Sequence, residues 1–85
     1  MEQLEQELKA RIIEALNLEE MTVEQIDSDA PLFGEGLGLD SIDSLELIMM
    51  LDKYYGIKLT DKTIAKQVLA NVRTLAEYVN EHRTK

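Results

Sequence analysis

Between Glu2 and Leu18 the apolar residues Leu4, Leu8, Ile12, Ala15 and Leu16 recur at helical spacing, and Glu5, Lys9 and Glu14 fill the other faces. No Gly or Pro interrupts the run, so the pattern predicts a first helix over 2–18. Residues 19–39 lose that period. Thr22 followed by Gln25 caps a short helical turn, and Pro31, Gly34, Gly36 and Gly38 then punctuate the chain. So long a connection needs its own anchors, and Ile26, Leu32, Phe33 and Leu39 are the candidates. The helical period returns from Ser41 to Tyr55. Asp40 suits the N-cap, Asp43 suits the first-turn dipole, and Gly56 suits the left-handed residue that closes a helix. Thr60 or Asp61 starts a short third helix that ends near Ala70-Asn71. Val72, Leu75, Ala76 and Val79 line one face of a last helix that runs to His82. The expected fold is all-α: a four-helix bundle of three main helices and a short third, with a long loop between the first two.

The second helix carries two apolar stripes. At about 100° per residue with Ile42 as origin, Leu47, Ile48, Leu51, Tyr54 and Tyr55 fall between about 120° and 240°. That arc is the expected core face. Ile42, Leu45 and Met49 fall between about 300° and 360°, nearly opposite. A helix in a small domain turns one face to solvent, so the second stripe points to a partner surface. The competing reading is a helix buried nearly all round by the long loop. Asp43 and Glu46 flank the stripe, Asp40 stands at its start, and Lys53 interrupts the acidity lower down. The pliable side chains of Met49 and Met50 fit a surface that meets several partners.

At 85 residues the chain builds one small core and has little left for a deep pocket. It has no cysteine, so disulfides and thiolate metal sites are excluded. No apolar run is long enough to span a bilayer and no signal-peptide pattern opens the chain, which makes the cytoplasm the default compartment. The formal charge of −8 disfavours nucleic acid and anionic membranes, and favours basic partner surfaces. Asp27-Ser28-Asp29 begins like a calcium loop. The register then places Leu32 where glycine is needed and Gly38 where glutamate is needed, so an EF-hand is rejected and no metal site is expected.

The chemistry concentrates on Ser41, where the glycine-rich loop meets the acidic helix. It has no base beside it in sequence. His82, the single histidine, lies near the C-terminus and suits a helix C-terminal cation. No catalytic residue is expected. Ser41 reads either as an ordinary helix-start serine that serves backbone donors or as an exposed attachment point loaded by another enzyme. Ser44 projects to about 200°, within the core stripe, as a small residue turned back on the backbone.

The string Asp29-Ala30-Pro31-Leu32-Phe33-Gly34-Glu35-Gly36-Leu37-Gly38-Leu39-Asp40-Ser41-Ile42-Asp43, continued by Glu46-Leu47, Leu51 and Tyr55, resembles the acyl carrier proteins. The likeness covers nearly the whole chain. It implies a single acyl carrier domain over 1–85 with the bundle of that family. It also implies 4′-phosphopantetheine, derived from coenzyme A and joined to a serine through a phosphodiester, whose terminal thiol holds acyl groups as thioesters. The literal family motif Asp-Ser-Leu occurs here at Asp43-Ser44-Leu45. The family spacing, five positions from the modified serine to the glutamate of the Glu-Leu pair, selects Ser41 with Glu46 instead. Gly38-Leu39-Asp40 before it also matches, so Ser41 is the expected site and Ser44 the alternative. Ile42 replaces the family's leucine at similar size.

The resemblance further implies a non-catalytic protein that is itself the substrate of a phosphopantetheinyl transferase. Its other partners would be acyl-loading, condensing and reducing enzymes with basic docking patches, meeting Asp40, Ile42, Asp43, Leu45, Glu46 and Met49. Acyl chains would be the cargo, with neither nucleic acid nor membrane insertion, and the carrier would act as a monomer. Fatty-acid, polyketide, aryl-polyene and related lipid pathways all use such carriers. The alternatives are a peptidyl or aryl carrier, or a helical interaction module without a prosthetic group.

Overall fold

A computed structural model describes residues 2–34 and 38–85. Four helices follow in order: α1 (Glu2–Ala15), α2 (Ser41–Tyr55), α3 (Lys62–Val68) and α4 (Val72–His82), with a 3-10 turn over Val23–Gln25 in the long connection. This is the all-helical, acyl-carrier-like arrangement expected from the sequence. Gly36 and Leu37, part of the loop singled out above, lie outside the described residues.

Each boundary has a local cause. α1 stops three residues short of the expected Leu18, because Asn17 adopts a left-handed conformation (φ 54°) and the Leu18 N–H turns back to the Ile13 carbonyl at 2.9 Å. Asparagine tolerates that region better than most residues, which is why a stretch without glycine still ends a helix. Gly56 closes α2 with φ 66°. Asp61 rather than Thr60 caps α3, its carboxylate accepting from the Thr63 and Ile64 N–H groups at 2.8 and 3.2 Å. Asn71 caps α4 through the Thr74 N–H at 2.8 Å.

The core draws on every helix. Leu8 and Ile12 from α1, Leu47, Leu51 and Tyr55 from α2, Val68 from α3, and Val72, Leu75, Ala76 and Val79 from α4 are buried together. α1 packs on both α2 and α4, and α3 packs on α4. The anchors of the long loop are in place: Ile26, Leu32 and Leu39 are buried and Phe33 is half-buried. Backbone bonds fix the loop to the turn before α4 and to the start of α4 itself, Leu32 N–H to Ala70 O at 3.0 Å and Arg73 N–H to Ser28 O at 2.9 Å. Asp29, a residue of the rejected calcium loop, pairs with the Arg73 guanidinium at 2.6 Å.

Two expectations need correction. Lys9, assigned to a polar face, is 7% exposed, because a lysine stem can lie along apolar surface while only its head reaches water. Met50, read as partner-facing with Met49, is 4% exposed. It projects to about 80°, so the covered arc of α2 is wider than the stripe drawn from periodicity alone.

The C-terminal residues fold over the end of α2. Thr84 N–H reaches Tyr55 O at 2.9 Å, the Thr84 hydroxyl reaches Gly56 O at 3.2 Å, and Lys85 Nζ reaches Lys53 O at 3.1 Å. These bonds satisfy carbonyls that a helix end otherwise leaves without partners. Among the described residues, no helix is long and apolar enough to cross a membrane.

Candidate functional site

The start of α2 is a capping box. Asp40 holds an extended backbone, and its Oδ1 accepts from the N–H groups of Ile42 and Asp43 at 3.0 and 3.1 Å. Asp43 Oδ2 accepts in turn from the Asp40 N–H at 3.0 Å. Ser41 is the first residue of the helix and is exposed. Ser44, one turn on, is half-buried, and its hydroxyl donates to the Ser41 carbonyl at 2.7 Å. The two serines therefore differ as their positions on the helix suggested, one outward and one turned back on the backbone.

The second apolar stripe is present. Ile42 is 71%, Leu45 59% and Met49 65% exposed, against 0% for Leu47 and Leu51. Helix burial on all sides is thereby excluded. Asp40 and Glu46 are exposed beside the stripe, and Asp43 is half-buried where it serves the capping box. All six residues expected to meet partners thus lie on one stretch of α2 and its cap, around Ser41.

A cleft adjoins this surface. It has a volume of about 1000 Å3. Ser41, Ser44, Leu45 and Ile48 line its α2 side, Lys62, Ala65, Lys66 and Leu69 its α3 side, and Phe33, Leu39 and Leu59 the remainder. No motif encodes it. It arises where the short α3 stands off α2, which takes tertiary packing to see. His82 is engaged elsewhere: its ring stacks on Tyr78 at 4.0 Å and its Nδ1 lies 3.0 Å from the Tyr78 carbonyl.

An outward hydroxyl on the first turn of a helix suits a phosphodiester, because the helix dipole favours negative charge at that end. An adjoining cleft, largely apolar, suits an acyl chain. The residues present therefore fit a phosphopantetheine arm and its cargo. A family described as the phosphopantetheine attachment site matches residues 6–79. An acyl carrier protein of Phytoplasma mali (strain AT) is 30% identical over 77 residues, 91% of this chain and 84% of that protein. The prosthetic group of such proteins is covalently attached 4′-phosphopantetheine. With matching sequence, helical architecture and a fitting serine, the chain belongs to the acyl carrier protein family.

Proposed function

We propose that Ser41 bears the phosphopantetheine and that the exposed face of α2 presents it to successive enzymes. The observation that carries this reading is the contrast between the serines. Ser41 is exposed at the helix start, whereas the Ser44 hydroxyl is committed to the Ser41 carbonyl at 2.7 Å. When bound, the group supplies a thiol that holds acyl chains as thioesters, chemistry this cysteine-free chain lacks. The protein's own residues do the rest. Asp40 and Asp43 fix the first turn, so the backbone from which the Ser41 hydroxyl projects is held in place. Ile42, Leu45 and Met49 give a partner an apolar centre, and Asp40, Asp43 and Glu46 give it an acidic rim.

The chain acts as a single carrier domain and a monomer, is a substrate of a phosphopantetheinyl transferase, and serves cytoplasmic enzymes of fatty-acid, polyketide or related lipid synthesis. The acidic α2 supports partners with basic patches, because opposite charge speeds encounter. The test is intact mass after incubation with coenzyme A and a competent transferase. Wild type and Ser44→Ala should each gain one arm and Ser41→Ala none. An arm on Ser41→Ala but not on Ser44→Ala would move the site to Ser44, and no arm on any of them would end the reading.

A further inference from the structure

Lys62 and Lys66 stand one turn apart on α3, and both line the cleft that Ser41 adjoins. Both are exposed, and among the described residues neither has an ion-pair or hydrogen-bond partner. Like charges four residues apart mildly destabilise a helix. The chain has 17 acidic residues for 9 basic ones, so a neutralising neighbour would be easy to supply. Two carboxylates also line the cleft, each accepting two backbone N–H bonds through one oxygen and neither paired with Lys62 or Lys66. Asp61 Oδ1 accepts from the Thr63 and Ile64 N–H groups, and Asp40 Oδ1 from those of Ile42 and Asp43. The ammonium groups keep their donors. Behind them the wall is apolar, with Leu39, Leu59 and Leu69 buried and Phe33 and Ile48 half-buried.

A cleft of that make-up matches a ligand with an apolar body and an anionic end. We infer that this carrier's cargo is an acyl chain bearing a carboxylate or comparable oxyanion, which Lys62 and Lys66 hold at the cleft mouth while the hydrocarbon lies against the apolar wall. This rests on Ser41 as the point of attachment. It narrows the cargo from acyl chains in general to a chemical class, and it gives α3 a role in selecting that class. The other anion within reach is the phosphodiester of the arm itself, and the experiment separates the two.

The test loads Ser41, through a hydrolysis-stable amide on the arm, with either an octanoyl or an octanedioyl chain. Thermal melting is compared for wild type and for Lys62→Gln/Lys66→Gln, with circular dichroism as the folding control. In wild type the octanedioyl form should melt about 2–4 °C above the octanoyl form, the shift that a weak, partly screened ion pair gives a domain of this size. That difference should vanish in the double variant and shrink with added salt. An octanedioyl form that melts no higher than the octanoyl form in wild type overturns the inference, as does a difference that survives in the double variant. If the variant instead lowers every arm-bearing form equally, including one without cargo, the lysines hold the phosphodiester and the inference fails. Intact mass is read first: a wild type that takes no arm refutes the Ser41 assignment and this inference with it.

Discussion

The hydroxyl of Tyr55 donates to a carboxylate oxygen of Glu7 at 2.6 Å, joining the last residue of α2 to α1. The ring is 1% exposed. Burial, and after it the bond to Glu7, pushes the Tyr55 hydroxyl up from 10.0 to about 12. The fold therefore favours the neutral phenol. Its contribution is complete below about pH 10, where the unfolded tyrosine is also neutral, and is lost as pH rises through about 12. Tyr55→Phe should cost about 0.5–1.5 kcal/mol at neutral pH, the net worth of a hydrogen bond. Across the alkaline range it should lose less further stability than wild type. Urea melts at stepped pH measure both, and parallel alkaline losses would mean that Tyr55 does not titrate late.

Leu51 and Met49 sit two residues apart on α2 with opposite fates, 0% and 65% exposed. Leu51→Ala should cost about 2–5 kcal/mol in urea melts. Met49→Ala should stay within about 0.5 kcal/mol of wild type. Equal losses would show that the stripe is covered in solution.

Gly56 has φ 66°, and a β-carbon built there runs into the Thr84 side chain. Gly56→Ala should therefore cost more than the roughly 1–2 kcal/mol of left-handed backbone strain alone. Thr84→Ala in the same chain should return part of the excess. A double-mutant cycle measures that coupling, and a coupling of zero would mean that the C-terminal residues do not rest on the end of α2.

Glu46→Lys should keep its fold by circular dichroism yet slow transfer of the arm to Ser41, most at low salt, where screening is weakest. Met49→Ala should slow the same transfer with little change in salt dependence, because its contact is apolar. Transferase kinetics over a salt series check both. Unchanged rates in both folded variants would move recognition off α2.

Much of this architecture is legible in the sequence because it is local. Asp40, Gly56 and Asn71 each sit where a helix begins or ends, and an N-cap or a left-handed glycine acts within a few residues. The exposure of Ile42, Leu45 and Met49 follows from helical period, and so does the inward turn of Ser44. The helix end at Asn17 is not legible, because that residue does glycine's work without being glycine. The burial of Met50 and Lys9 is not legible, because periodicity fixes an angle around a helix, not how far the neighbouring segments wrap around it. The cleft, the Asp29–Arg73 pair and the seat of Thr84 on Gly56 join residues distant in sequence, and no spacing rule encodes them.

The capping box at Asp40 takes over the work that the first serine of a helix often does. A serine at the start of a helix is commonly recruited as the cap and is then unfree, since chemistry at its oxygen would cost the helix its first bonds. Here the neighbouring aspartate meets the amides of Ile42 and Asp43. Esterifying the Ser41 oxygen would break none of these bonds, and cleaving the ester would restore none. Loading and unloading at Ser41 would thus leave the first bonds of the helix in place, and the cap of α2 would be the same in the bare and the burdened carrier.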